Sequence, residues 1–277
     1  MKKVLLAFDG SNFSEGAFEF ARRLNDFEPI LVTGVFMPQV DYANLWSYAS
    51  AANVGINSAF IPLIEEEDAD LVNKNILHFE ELCQKNGIAY RVHESLFDFA
   101  LPELKKESRF ADLVVLSGEL FYKGILESNQ VSYLKDAIHA TESPVLIVPE
   151  KYEFPTTNVL AYDGSGESVY ALKQFAYLFP ELATNPTLLV YAEDDEDKEF
   201  PSKQHIIELA TQHYTDLTFY KLELNPRKFF NTWIRDKKGS ILISGALSRS
   251  AFSQLFKKSF VSDIIADHKV PVFIAHK

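Results

Sequence analysis

Val4-Leu5-Leu6-Ala7-Phe8-Asp9-Gly10-Ser11 is matched by Asn158-Val159-Leu160-Ala161-Tyr162-Asp163-Gly164-Ser165, with Asp163 following Asp9 by 154 positions. An apolar run that breaks into Asp-Gly-Ser reads as a buried strand leaving its sheet through a sharp turn. The chain also closes twice in the same way. Ser143-Pro144-Val145-Leu146-Ile147-Val148 matches Val270-Pro271-Val272-Phe273-Ile274-Ala275 at an offset of 127. The same 127 relates Ser117-Gly118 to Ser244-Gly245, Ser132 to Ser259 and Asp136 to Asp263. Such self-similarity identifies a duplicated fold. The first half carries 27 additional residues before its Ser-Gly, and Pro29 and Pro186, still 157 apart, place the surplus after the second apolar run. Residues 37–65, rich in Asn and Ser and without period, are read as a long ordered insertion. Trp46, Tyr48, Phe60 and Ile61 in it suit packing against the body or closure over a ligand.

A chain of 277 residues suits two domains, here 1–150 and 156–277, joined by a short polar link from Glu150 to Thr156. In the first half, strands are expected at Lys3–Phe8, Ile30–Phe36, Ala89–Val92, Leu113–Ser117 and Val145–Val148. Helices are expected at Ser14–Leu24, Leu71–Gln84, Ala100–Ser108 and Val131–Ala140. The second half repeats the pattern, with strands at Val159–Tyr162, Leu188–Ala192, Leu217–Leu222, Ile241–Ser244 and Val272–Ala275. Its helices are expected near Ser168–Phe179, Ser202–His213, Pro226–Asp236 and Ser259–Asp267. Alternating strands and helices with right-handed crossovers make an α/β fold of two doubly wound parallel sheets, each with a switch point where ligands sit. Two closely joined domains whose last strands are alike can pair edge to edge, so an intramolecular pseudo-dimer is expected.

Composition is that of a globular protein, 47% hydrophobic and 24% charged. Twenty-seven Lys and Arg against 39 Asp and Glu give a net charge of −12, which argues against nucleic-acid binding. The single cysteine, Cys83, allows no intrachain disulfide and suits a reducing compartment. The opening apolar run is too short for a secretory or membrane segment, so a cytoplasmic protein without membrane attachment is expected.

Chemical motifs are sparse. There is no P-loop and no G-x-G-x-x-G, Gly164-Ser165-Gly166 does not meet G-x-S-x-G, and His93-Glu94 lacks a second zinc-binding His. No catalytic residue and no metal site are expected. The acidic runs Glu65–Asp68 and Glu193–Asp197 lack the Gly and final Glu of a calcium loop and read as solvated faces.

Strand-Asp-Gly-Ser, strand-Ser-Gly, a Ser opening the last helix and a closing Ser-Pro-Val-Leu-Ile-Val together resemble the universal stress protein family, and the duplicated chain resembles a tandem member. The resemblance implies the flavodoxin-like (adenine nucleotide alpha hydrolase-like) strand order 3-2-1-4-5 and a role in stress response. Family members either bind adenine nucleotides or bind none. Binders carry G-x-x-G-x9-G-S/T after strand four, where bare backbone N–H groups meet phosphates. The pattern falls on Gly118, Phe121, Val131 and Ser132 in the first half, and on Gly245, Ser248, Lys258 and Ser259 in the second. Two glycines are lost from each, to Phe and Val in one and to Ser and Lys in the other. The first site therefore reads as blocked and the second as damaged. Arg249, Lys257 and Lys258 either replace lost N–H contacts with charge or form a solvated face.

The resemblance places Asp9 and Asp163 against the adenosine part of a ligand; alternatively each carboxylate holds its own turn. The expectation is a non-enzymatic protein with degenerate sites and no firm cofactor. The alternative is a weak ATP or AMP sensor that uses mainly the second half. Partners expected are a second copy of the chain and an unidentified protein.

Overall fold

The computed structural model describes residues 1–37, 60–94, 100–121, 127–192, 199–222, 233–234, 237–245 and 270–275, with the backbone alone for 60–68, 127–132 and 192. In the first half, β1 (Lys3–Phe8), α1 (Glu15–Phe27), β2 (Leu31–Phe36), α2 (Phe60–Lys85) and β3 (Ala89–Glu94) lead to α3 (Ala100–Ser108), β4 (Leu113–Ser117), α4 (Glu127–Ala140) and β5 (Val145–Val148). The second half runs β6 (Thr157–Ala161), α5 (Gly166–Leu178), a 3-10 turn at Leu182–Thr184, β7 (Thr187–Ala192), α6 (Lys203–His213), β8 (Leu217–Leu222), β9 (Ser240–Gly245) and β10 (Val272–Ala275).

The ten strands of the described residues form one sheet, in the order β3-β2-β1-β4-β5-β10-β9-β6-β7-β8. Each half is parallel throughout and has the order 3-2-1-4-5 counted from its own first strand. Among the described residues only the seam is antiparallel, with β5 against β10. Its register pairs Phe273 with Leu146, Val272 with Ile147, and Ile274 with Val145. Leu146 and Phe273 are 127 positions apart, the same offset that relates the two closing motifs. Repeat-equivalent residues thus face each other across a local two-fold axis, and neither terminal strand leaves an unpaired edge at the seam.

Residues of β1, β2, β4, β5, β6, β9 and β10 are buried on both faces, which explains why those runs are apolar rather than alternating, whereas the edge strands β3 and β8 are partly exposed and alternate. Val4, Leu6, Phe8, Leu146, Val148, Phe273 and Ala275 belong to a core under α1, α2, α5 and α6. Leu5, Ala7, Val145, Ile147, Val272 and Ile274 belong to a second core under α3 and α4. Both cores cross the seam. Because α1 and α2 cover one face and α3 and α4 the other, the crossovers reverse between β1 and β4, which opens the crevice there.

Several boundaries differ from expectation. The helix expected at Leu71–Gln84 starts at Phe60, so the aperiodic insertion ends earlier than residue 65. Glu and Leu favour helix, and Pro62 falls in the first turn, where its missing N–H has no helical partner to lose. The helix expected from Ser168 starts at Gly166, because Ser165 supplies the cap by accepting from the Ser168 N–H at 3.1 Å. Residues 38–59, the acidic run at Glu193–Asp197 and the helix expected at Ser259–Asp267 lie outside the described residues, as does most of Pro226–Asp236. Among the described residues no helix is long and apolar enough to cross a membrane.

Cys83 is fully buried on α2, and burial, with the Glu80 charge, pushes its thiol up to about 12. The native protein should therefore give no reaction with a maleimide at about pH 8, and one equivalent once unfolded, as counted by mass spectrometry.

Candidate functional site

The first crevice lies beyond the carboxyl ends of β1 and β4. Gly10, at φ +86°, turns the chain out of β1 in a conformation that side-chain-bearing residues rarely adopt. Asp9 is buried, at 3% exposure, and holds this turn: Oδ1 accepts from the Asn12 N–H at 2.6 Å and Oδ2 from Asn12 Nδ2 at 2.8 Å. The α2 residue Asn75 donates to the Gly10 carbonyl at 2.7 Å, closing the turn from above. Ser14 then caps α1, its hydroxyl accepting from the Ala17 N–H at 3.0 Å.

Beyond β4, the Gly118 N–H donates to the Val148 carbonyl at 2.9 Å, so Gly118 continues the ladder to β5. Phe121 is buried, at 1% exposure, and packs against Tyr133 of α4 with ring centroids 6.1 Å apart. Burial, with the nearby Asp9 charge, raises the Tyr133 hydroxyl above its ordinary range. An aromatic pair thus lies between the end of β4 and α4. The backbone of Ser132 lies in α4, but its side chain is outside the described residues.

Glu150, just past β5, reaches the same place. Its Oε1 accepts from the Ser14 hydroxyl and, at 2.6 Å, from the Ser117 hydroxyl, while Oε2 accepts from the Gly16 N–H at 3.3 Å. Ser117 in turn accepts from the N–H groups of Leu120 at 2.9 Å and Glu119 at 3.2 Å. Sequence reasoning assigned Glu150 only to a polar link. Gly16 inside a helix was the available signal, since a glycine there usually marks a close approach. A Cβ on Gly16 would lie 2.3 Å from the Pro149 carbonyl oxygen.

The second crevice uses the same parts differently. Gly164 has φ +81°, and Asp163, half-buried, accepts from the Ser165 N–H at 2.9 Å. Tyr162, the counterpart of Phe8, donates to the Pro201 carbonyl at 2.7 Å, and Pro201 lies over Gly164. Ser168 and Ser244, counterparts of Ser14 and Ser117, donate to the carbonyls of Ser165 at 2.9 Å and Gly245 at 3.1 Å. Gly245 ends β9 directly against the first turn of α5. Ser248, Lys258 and Ser259, with Arg249 and Lys257, lie outside the described residues. The structure thus brings Asp9 and Gly118 to one crevice, and Asp163 and Gly245 to the other. Among the described residues no cluster of His, Cys, Asp and Glu could hold a metal ion.

No family model matches the chain, and no curated protein sequence does. Among solved structures it is similar to a universal stress protein from Archaeoglobus fulgidus DSM 4304, with a TM-score of 0.68 and 16% identity, covering 100% of this chain and 96% of that one. A putative universal stress protein from Pseudomonas aeruginosa UCBPP-PA14 also matches, at a TM-score of 0.49 and 12% identity, covering 100% of this chain and 93% of that one. The chain therefore has the flavodoxin-like α/β fold found in a universal stress protein, along its whole length.

Proposed function

We propose that this chain is a tandem universal stress protein of the cytoplasm that acts in stress response without catalysis, through protein partners or through association of whole chains. Its two halves, 1–150 and 156–277, form a pseudo-dimer in this reading, supported by the repeat-equivalent register of the seam. Both nucleotide crevices are degenerate. The observation that carries the reading is Phe121: where a nucleotide binder needs bare backbone, this chain has a buried aromatic ring packed on Tyr133. A phosphate next to that ring would lose water without gaining N–H donors.

A second reading, a weak adenine-nucleotide sensor, is favoured in the second half alone. Gly245 is retained there as Gly118 is in the first half, but Ser248 stands where the first half has Phe121, and the hydroxyls of Ser168 and Ser244 meet backbone carbonyls rather than a carboxylate. Lys258 and Ser259 would then meet the phosphates, with Asp163 at the adenosine end. Calorimetry with millimolar ATP separates the two readings. Wild type and Lys258→Ala should both give no binding heat; saturable heat in wild type that Lys258→Ala reduces would establish the sensor. No phosphate release above background is expected. Release that disappears in Asp163→Ala would make the chain an enzyme.

A further inference from the structure

We propose that Glu150 is a latch: its carboxylate sits on the floor of the first crevice in place of an external anion and pins the link between the halves to α1. The inference rests on the proposed closure of that crevice and names what closes its floor. Three donors from two separate segments converge on this one side chain: the Ser14 hydroxyl and Gly16 N–H of α1, and the Ser117 hydroxyl after β4. Ser14 and Ser117 are buried, and each hydroxyl also accepts backbone N–H bonds, so its proton is directed outward to the carboxylate. Bonds to an ionised acceptor are the stronger kind, and the positive end of α1 adds to them.

The geometry needs Gly16. With any side chain there, Pro149 and Glu150 could not come down onto the helix, since a Cβ would lie 2.3 Å from the Pro149 oxygen and 2.9 Å from the Glu150 Cα. Both halves of the device are absent from the repeat. The counterpart of Gly16 is Tyr170, and the counterpart of Glu150 is Lys277, of opposite charge. The serines alone persist, and Ser168 and Ser244 turn to their own backbones. A paired Gly and Glu present in one half and replaced together in the other mark a feature of that half rather than of the fold.

The latch also anchors the next few residues of the link. Tyr152 donates to the Gly16 carbonyl at 3.3 Å, and Phe154 packs on Phe20 at 5.1 Å beneath the Arg23 guanidinium. Releasing Glu150 frees the start of this docked segment.

Hydrogen exchange on the full chain tests the device. In wild type, the amides of Gly16 and Ala17, which donate to Glu150 and Ser14, should be protected, and millimolar pyrophosphate should leave them unchanged. In Glu150→Ala these amides should exchange about tenfold faster, the size expected for losing a charge-assisted bond, and pyrophosphate should restore protection at Gly16 and Ala17. Wild-type exchange in Glu150→Ala overturns the latch, as does acceleration that pyrophosphate leaves untouched. If Glu150→Ala also opens Val145–Val148, the seam has been lost and Glu150→Gln carries the test. Faster exchange at Gly16 and Ala17 with β5 unchanged then supports the latch, and wild-type exchange overturns it. ATP binding by the wild-type chain would sink the functional reading without altering these outcomes.

Discussion

Phe273→Ala should destabilise the protein by about 3–5 kcal/mol, the range for removing a buried phenylalanine without collapse of the space it leaves. Phe273 is fully buried in β10, opposite Leu146 of β5, with its ring 5.4 Å from Phe175 and 5.8 Å from Phe179. Its surroundings resist relaxation from three directions. The seam ladder fixes the backbone, while Phe175 of α5 and Phe179 at its C-terminal cap present two further rings that are themselves packed at 5.2 Å. Urea unfolding of wild type and variant measures the loss, with Phe110→Ala, at 65% exposure, as a control expected to change stability by less than about 0.5 kcal/mol. Because the core that includes Phe273 also includes Leu146 and Phe20, the loss should lower the unfolding midpoint of both halves. A cost below about 1 kcal/mol, or a midpoint change confined to the second half, would mean that the seam does not join the two cores energetically.

The duplicated pattern was legible because it consists of contiguous runs. Asp-Gly-Ser after an apolar strand exposes the turn chemistry, and the fixed offset of 127 anticipates the pairing of Leu146 with Phe273 through symmetry alone. Ser14 was readable as a cap because its only requirement is an N–H three residues on. In the second half the helix is expected from about Ser168 but starts at Gly166 with Ser165 as its cap, since two serines three apart offer the same local signal.

Glu150 was not legible as a site residue. Its partners lie 136, 134 and 33 positions away, and no local periodicity encodes a carboxylate that folds back across a sheet. Tyr152 and Phe154 in a supposedly polar link were a sign that this segment docks. Asp9 and Asp163 sit where the repeat places them, and each holds its turn through one carboxylate oxygen or both.

Gly245→Ala is expected to destabilise the protein by about 1–3 kcal/mol, and the sign is informative. Gly245 is not in the left-handed region, so its backbone would accept alanine. In open space the change would stabilise by about 0.4–1 kcal/mol through the unfolded chain. The opposite is expected because a Cβ would fall 2.5 Å from the Glu167 carbonyl carbon and 2.6 Å from the Ser168 N, both backbone atoms of the first turn of α5 that cannot swing aside. Glycine is therefore required here for helix-to-strand contact in the folded chain, with no ligand needed to explain it. The shift in urea midpoint decides the sign, and the same measurement repeated in millimolar ATP separates packing from phosphate contact. If the glycine serves packing alone, the loss is the same with and without nucleotide. If it also admits a phosphate, ATP stabilises wild type by mass action and leaves the variant behind, so the gap between them widens with ligand concentration.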